Sequence, residues 1–307
     1  MPLNNTLTTE QQNILKVLAY FDVFNYPLTA EEIRSFYFDT NQSSFEKAAD
    51  ALVEEKIIFK LNGFYSLQND QSLITRRLKG NDFAQKKMST ATKAAAILSR
   101  FPYVRGLAIS GSLSKNFADE KADVDFFIIT APNRLWIART IMHLFKKLSF
   151  IVGRQNWFCM NYYVDEAMLE IPEKNIFTAM EIVTLIPMYG QNVLPLFYNK
   201  NEWTKNYFPG RVAATCNIPE NKKVFFTRMI EKTFNGNTGN IIDNWLMKLT
   251  DKRWKKKTAQ NRINVRGIKM TLKADKHFSK PDPTNFQKRV VQQYESKLKE
   301  IVTTIIH

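Results

Sequence analysis

The sequence predicts an α/β (α+β) chain with a mixed sheet at its centre, a small helix-and-hairpin unit before it and a basic helical region after it. Three observations predict this. Strand-like apolar runs at VRGLAIS (104–110), DVDFFIIT (123–130) and WFCMNYYV (157–164) surround a long helical pattern over 133–151. Residues 9–67 place three helical patterns ahead of two short runs around Asn62-Gly63. Beyond Pro209 the pattern becomes helical and basic. These divisions give segments 1–75, 76–210 and 211–307.

In the first segment, Thr9 opens a helix with Ile14, Leu15, Leu18 and Phe21 on one face. Asn25, Tyr26 and Pro27 end it. Thr29 then caps a short helix with Glu32 at N3, a capping-box spacing. A third helix starts at Ser43 or Ser44 and turns Phe45, Ala49, Leu52 and Val53 inward. KIIFKLNGFYSL follows, and its Asn-Gly is a strong hairpin signal. Three helices and a hairpin are the order of a winged helix-turn-helix domain. Its third helix would present Glu46, Lys47, Asp50 and Glu54 outward, an acidic face that phosphates repel, so a packing or protein-contact role is expected.

In the second segment a linking helix over 76–101 leads into the strand at 104–110, which runs directly into Gly111-Ser112. The pattern over 175–189 predicts one further helix, stopped by Pro187 and Gly190. Trp203, Tyr207 and Phe208 read as core aromatics. In the third segment helices are expected over 222–234, 240–257 and 284–301, with an irregular stretch holding Pro281 and Pro283.

Composition narrows the class. Hydrophobic residues make up 44% and aromatics 13%, enough for packed cores and against disorder. The N-terminus lacks a signal-peptide pattern, and the most apolar helix is interrupted by Arg139, His143, Lys146 and Lys147, so no membrane association is expected. Cys159 and Cys216 have no pairing or metal spacing, and the three histidines offer no zinc site. A reduced cytoplasmic setting is the expectation. The net charge of +15 is concentrated from Lys248 onward, where 16 Lys and Arg face five acids. That tail, and the KRWKKK run (252–257) above all, is either a solvated basic surface or a contact for nucleic acid or an acidic partner.

The chemistry centres on ISGSLSKNFADEKADVDFFIIT (109–130). Successive side chains on a strand alternate faces, so Asp123 and Asp125 are expected on one side with Val124 packed inward. Two carboxylates roughly 6–7 Å apart at their Cα atoms are well matched to a shared cation, and Mg2+ with a triphosphate is the obvious one. Gly111 lets backbone N–H groups approach an anion, and Ser112 adds a hydroxyl donor.

This segment resembles the nucleotidyltransferase superfamily with the DNA polymerase beta-like catalytic fold, of the minimal nucleotidyltransferase type. The resemblance rests on an apolar strand at 107–110, Gly111-Ser112, and Asp123-Val124-Asp125 with FFII behind them, and covers roughly residues 100–165. It implies catalytic and metal roles for Asp123 and Asp125, Mg2+ as cofactor and an NTP as co-substrate, with NMP passed to a hydroxyl acceptor. Gly111 and Ser112 would bind the nucleotide, with Lys115 as a cationic phosphate contact. The family's third carboxylate falls at Asn161, on a strand face carrying Trp157, Cys159, Tyr163 and Asp165. An amide oxygen ligates a cation but does not take up a proton, so Asp165 or Glu166 is a substitute base, and a catalytically weakened nucleotide- or partner-binding protein is the alternative. His277 is read as a surface-loop residue or an acceptor-site contact.

Overall fold

The computed structural model describes residues 7–37, 42–151, 159–211, 218, 224–259, 270–283 and 286–306. Trp157, Cys216, Lys222 and Thr284 lie outside these, as do some side chains inside elements, Asn161 and Lys257 among them.

Helix α1 (Thr9–Asp22) is held at its start by a capping box between Thr8 and Gln11. Strand β1 (Leu28–Thr29) leads to α2 (Ala30–Arg34), where Thr29 and Glu32 form the expected second box. Helix α3 (Gln42–Glu54) buries Phe45, Ala49 and Leu52 and leaves Glu46, Lys47, Asp50 and Glu54 exposed. Strands β2 (Phe59–Leu61) and β3 (Phe64–Ser66) flank Asn62 and Gly63, whose φ values of 49° and 83° suit a two-residue hairpin turn. The two-residue β1 pairs with β3, giving a three-stranded sheet in the order β1-β3-β2. So short a strand carries no periodic signal.

The linking helix α4 (Gln71–Leu98) starts earlier than 76 because Asp70 caps it, accepting from the Ser72 N–H at 2.8 Å. The second sheet then assembles from β4 (Val104–Ser110), β5 (Asp125–Thr130), β6 (Cys159–Asp165), β7 (Ile186–Tyr189), β8 (Met270–Ala274) and β9 (Phe278–Pro283). Its order is β7-β4-β5-β6-β9-β8, with β5 and β6 parallel and the other pairs antiparallel, so the sheet is mixed. Helices α5 (Leu135–Ile151), α6 (Ile176–Val183), α7 (Val193–Lys200), α8 (Phe225–Thr233), α9 (Asn237–Ala259) and α10 (Phe286–Ile306) complete the chain.

Two expectations are corrected here. The helix expected over 175–189 ends at Val183, and 186–189 form strand β7 on the sheet edge, where Pro187 needs no inner hydrogen bond. The C-terminal region is not purely helical either, since 270–283 supplies β8 and β9. Pro281 and Pro283 are tolerated because β6 pairs only with Phe278 and Ser279, leaving the proline half of β9 to face β8 alone.

Both faces of the large sheet are covered. Leu107, Ile109, Phe126, Ile128, Met160 and Tyr163 pack under α4, α5 and α9, with Trp136 and Trp254 buried at the centre. Ala108, Phe127, Ile129 and Val164 face Ile182 of α6 and Leu194 and Phe197 of α7. The core of the N-terminal unit is shared: Ile14, Leu18, Phe36 and Phe45 cluster with Met180 of α6, Phe208, and Val290, Leu298 and Ile301 of α10. Lys297 of α10 forms an ion pair with Asp22. Phe208 is thus core, as expected, and Trp203 packs beside it, while Tyr207 is 41% exposed.

Candidate active site

Strand β4 is apolar and buried from Gly106 to Ile109 and ends in register with the start of β5, Ser110 opposite Asp125. Gly111 then reverses the chain at φ +69°, a left-handed conformation that glycine adopts without steric cost. The turn requires glycine for a second reason. A Cβ at this position would lie 2.7 Å from Oδ2 of Asp125, so the carboxylate rests directly against the Gly111 backbone.

Ser112 is exposed and leads into a single 3-10 turn, Leu113–Lys115, closed by Asn116 at φ 56°. The carbonyl of Gly111 is fixed from below. Ser114 Oγ donates to it at 2.8 Å and Lys115 Nζ at 3.1 Å. Lys115 also forms an ion pair with Glu181 of α6, Nζ to Oε1 2.8 Å, with both side chains mostly buried. The contacts of Lys115 seen here are therefore internal, and they brace the turn. The N-terminal unit grips the same turn. Tyr26 donates its hydroxyl to the Lys115 carbonyl at 3.1 Å, and Asn81 of α4 bonds both Tyr26 and the Asn116 carbonyl. Arg77 lies over the Tyr26 ring, 4.4 Å from its centroid, and pairs with Glu32 at 2.7 Å.

Asp123 precedes β5 rather than lying on it, so strand alternation begins only at Asp125. Val124 is buried in the same cluster as Phe126, and Asp123 and Asp125 on either side of it are half-buried. Asn161 sits on β6 at a bulge: Phe126 pairs with Met160 and Phe127 with Tyr162, leaving residue 161 as the extra one. The bulge also switches faces, since Met160 belongs to one core and Tyr162 to the other. The strand face expected to join residues 157 to 165 is therefore broken.

The bulge and the parallel register remove Asp165 and Glu166 as substitute bases. Asp125 pairs with Cys159, whereas Asp165 pairs with Thr130, five residues up the sheet and roughly 16 Å away. Asp165 is fully buried and accepts from the backbone N–H groups of Asn133 (2.9 Å) and Ala167 (3.0 Å). His277 Nδ1 lies 3.0 Å from Oδ1 of the same carboxylate, so His277 is a structural residue of the β6–β9 junction.

Near that junction Asp243 of α9 accepts from the Ile137 N–H at 2.9 Å, capping α5. Burial pushes its carboxyl up to about 6, against hydrogen bonds from Ile137 and Trp136 and the charge of Arg134, with Asp165 adding to the rise. In KRWKKK, Lys252, Arg253, Lys255 and Lys256 are exposed on α9, while Trp254 is buried edge-on to Trp136 beneath Arg139.

Sequence alone did not single out Glu181 of α6, Asn81 of α4 or Tyr26 of the loop before β1, which hold the turn. Among the described residues there is no group of three or more His, Cys, Asp or Glu arranged to hold a metal ion, and no helix long and apolar enough to cross a membrane. Compared with protein-family models, with curated proteins and with solved structures, the chain matches none.

Proposed function

We propose that the chain is a metal-dependent nucleotidyltransferase, acting at the Gly111 turn on an NTP and an unidentified hydroxyl acceptor. The observation that carries this reading is the Asp125 carboxylate lying against a left-handed glycine at the end of a buried strand. An acid so placed sits directly beside the exposed head of the turn at Ser112. Mg2+ commonly takes only one or two protein carboxylates and completes its octahedron with waters and substrate phosphates. Asp123 and Asp125 fit that habit and would hold it. When bound, the ion would neutralise triphosphate charge and polarise the reacting phosphoryl group.

The protein's own part is positioning. Ser112, exposed at the head of the turn, offers a hydroxyl donor to a phosphate oxygen. Lys115 acts through Gly111, holding its carbonyl inward with Ser114 and Glu181 so that the turn keeps one shape. The N-terminal unit has the helix and strand order of a winged helix and serves here as a packing module. The acidic exposed face of α3 opposes duplex reading, and the cationic face of α9 is the better contact for nucleic acid or an acidic partner.

A second reading is a nucleotide- or partner-binding protein without transfer, favoured by Asn161, an amide where a proton acceptor would stand. Titration calorimetry with Mg-NTP and a pyrophosphate assay separate the two. The parent should bind Mg-NTP, Asp125→Asn should bind at least about tenfold more weakly, and Asn161→Ala should lose less. Pyrophosphate release that rises in Asn161→Asp supports a weakened transferase. Binding without release in any variant supports the second reading, and undiminished binding by Asp125→Asn would mean that the Gly111 turn is not a nucleotide site.

A further inference from the structure

A cavity of about 280 Å3 separates the N-terminal unit from the large sheet. Its apolar lining comes from Leu28 and Phe36 of the N-terminal unit and Val183 and Ile186 of the sheet domain. Ser114 and Lys115, the residues that hold the Gly111 carbonyl, line it too.

Three charged side chains line it: Glu32, Lys115 and Arg211. Two are already matched. Glu32 pairs with Arg77 through Oε1 and caps α2 through Oε2, which accepts from the Thr29 N–H at 2.9 Å. Lys115 pairs with Glu181. Arg211 differs. Its Nε is buried without a hydrogen-bond partner, and among the described residues no acid forms an ion pair with it.

The position of Arg211 is built rather than incidental. Its guanidinium stacks on Phe36, 4.2 Å from the ring centroid. The preceding Gly210 fits so tightly against the Tyr37 backbone that a Cβ there would lie 2.5 Å from the Tyr37 carbonyl oxygen, and its N–H bonds the Phe36 carbonyl. One face of the cation is thus fixed on an aromatic ring and its Nε is closed off from solvent, so the residue is held in place where it lines the cavity.

We propose that this cavity binds a small organic monocarboxylate with an apolar body, its carboxylate held by Arg211. Glu32 pairs with Arg77 and also acts on Arg211 from beyond ion-pair distance, so one positive charge is left over in this group and calls for one negative charge, and the planar guanidinium matches a carboxylate. A doubly charged phosphate ester would leave a second charge uncompensated in a site whose other cation is committed to Glu181. The apolar lining accepts the ligand's body. The proposal does not depend on nucleotide transfer.

The test uses the full chain without nucleotide or magnesium, with 3-phenylpropionate as probe in calorimetry and thermal unfolding. The carboxylate should bind and raise the melting temperature, while 3-phenylpropionamide and 3-phenylpropylamine should not. Arg211→Gln should weaken binding at least about tenfold, with partial recovery in Arg211→Lys. Because Arg211 also packs on Phe36, Val183→Phe provides a second route: it fills the cavity, keeps the cation and should block binding. Asp125→Asn should bind the carboxylate as the parent does, whatever becomes of its Mg-NTP binding. Equal binding of the amide, tighter binding of phenyl phosphate, no binding at millimolar concentration, or indifference to both Arg211→Gln and Val183→Phe would each overturn the proposal.

Discussion

Asp165 and His277 meet at the β6–β9 junction with both carboxylate oxygens close to one ring nitrogen, at 3.0 and 3.1 Å. With two backbone N–H groups also bonded to it, this carboxylate is wholly occupied by the fold. Asp165→Ala should destabilise the protein by about 3 kcal/mol, since buried donors lose their acceptor. Urea denaturation reads that loss. Mg-NTP affinity of the folded fraction should match the parent, and a specific loss of affinity at unchanged stability would return Asp165 to the candidate site.

Gly111→Ala combines two penalties. The left-handed backbone costs an alanine about 1–2 kcal/mol, and the new Cβ meets the Asp125 carboxylate at 2.7 Å. Chemical denaturation should show a loss of that size or larger, together with weakened Mg-NTP binding. Repeating the change in an Asp125→Ala background should relieve the collision with the carboxylate and leave the backbone cost. Equal losses in both backgrounds would mean that the carboxylate does not rest on this glycine.

Lys115 and Glu181 form an ion pair that is neither fully buried nor fully solvated, with side-chain exposures of 14% and 28%. A double-mutant cycle with Lys115→Met and Glu181→Gln should give a coupling of about 1 kcal/mol. Both single variants should reduce nucleotide affinity by loosening the turn. A coupling near zero would separate α6 from the site.

Two buried groups make stability depend on pH in opposite senses. Asp243 takes up its proton more readily folded, at about 6 against 3.8 unfolded, so its contribution falls as pH rises through that window. His143 is held down to about 3 from 6.5 by burial and by Arg139, Lys146 and Lys147, so its contribution is lost as pH falls below 6.5. Asp243→Asn should therefore gain stability over the parent above pH 6, by up to about 3 kcal/mol, with the gain fading near pH 4. His143→Phe should show its largest gain at the acid end. Urea midpoints from pH 4 to 7 check both, and parallel curves for parent and variants would refute the assignments.

What the sequence disclosed was local. The Thr29–Glu32 box and the Asn62-Gly63 turn depend on residues within a few positions of one another, and the pairing of Gly111 with Asp125 on residues of two successive strands. What stayed hidden depends on distant pairing. Strand β7 reads as the tail of α6 until β4, some eighty residues earlier, supplies its partner. Residues 278–283 resemble a loop because prolines are expected to break strands, and only the short reach of β6 shows why they do not. The bulge at Asn161 is a mismatch between two strands, so no pattern within either one could reveal it. Glu181 and Arg211 were equally illegible, each a single charge in a basic chain with its neighbours set by tertiary contact.

Helix α10 closes the core of the unit that begins the chain, through Val290, Leu298, Ile301 and the Lys297–Asp22 pair. On the ribosome, α1 emerges long before its last partner exists. At about 5–20 residues per second, the roughly 275 positions between Asp22 and Lys297 take on the order of 15–50 s to synthesise. During that interval the α1 surface destined for Val290 and Leu298 is open to water and to other chains. A nascent chain stalled before residue 286 should therefore recruit chaperones or aggregate in a way that the completed chain does not.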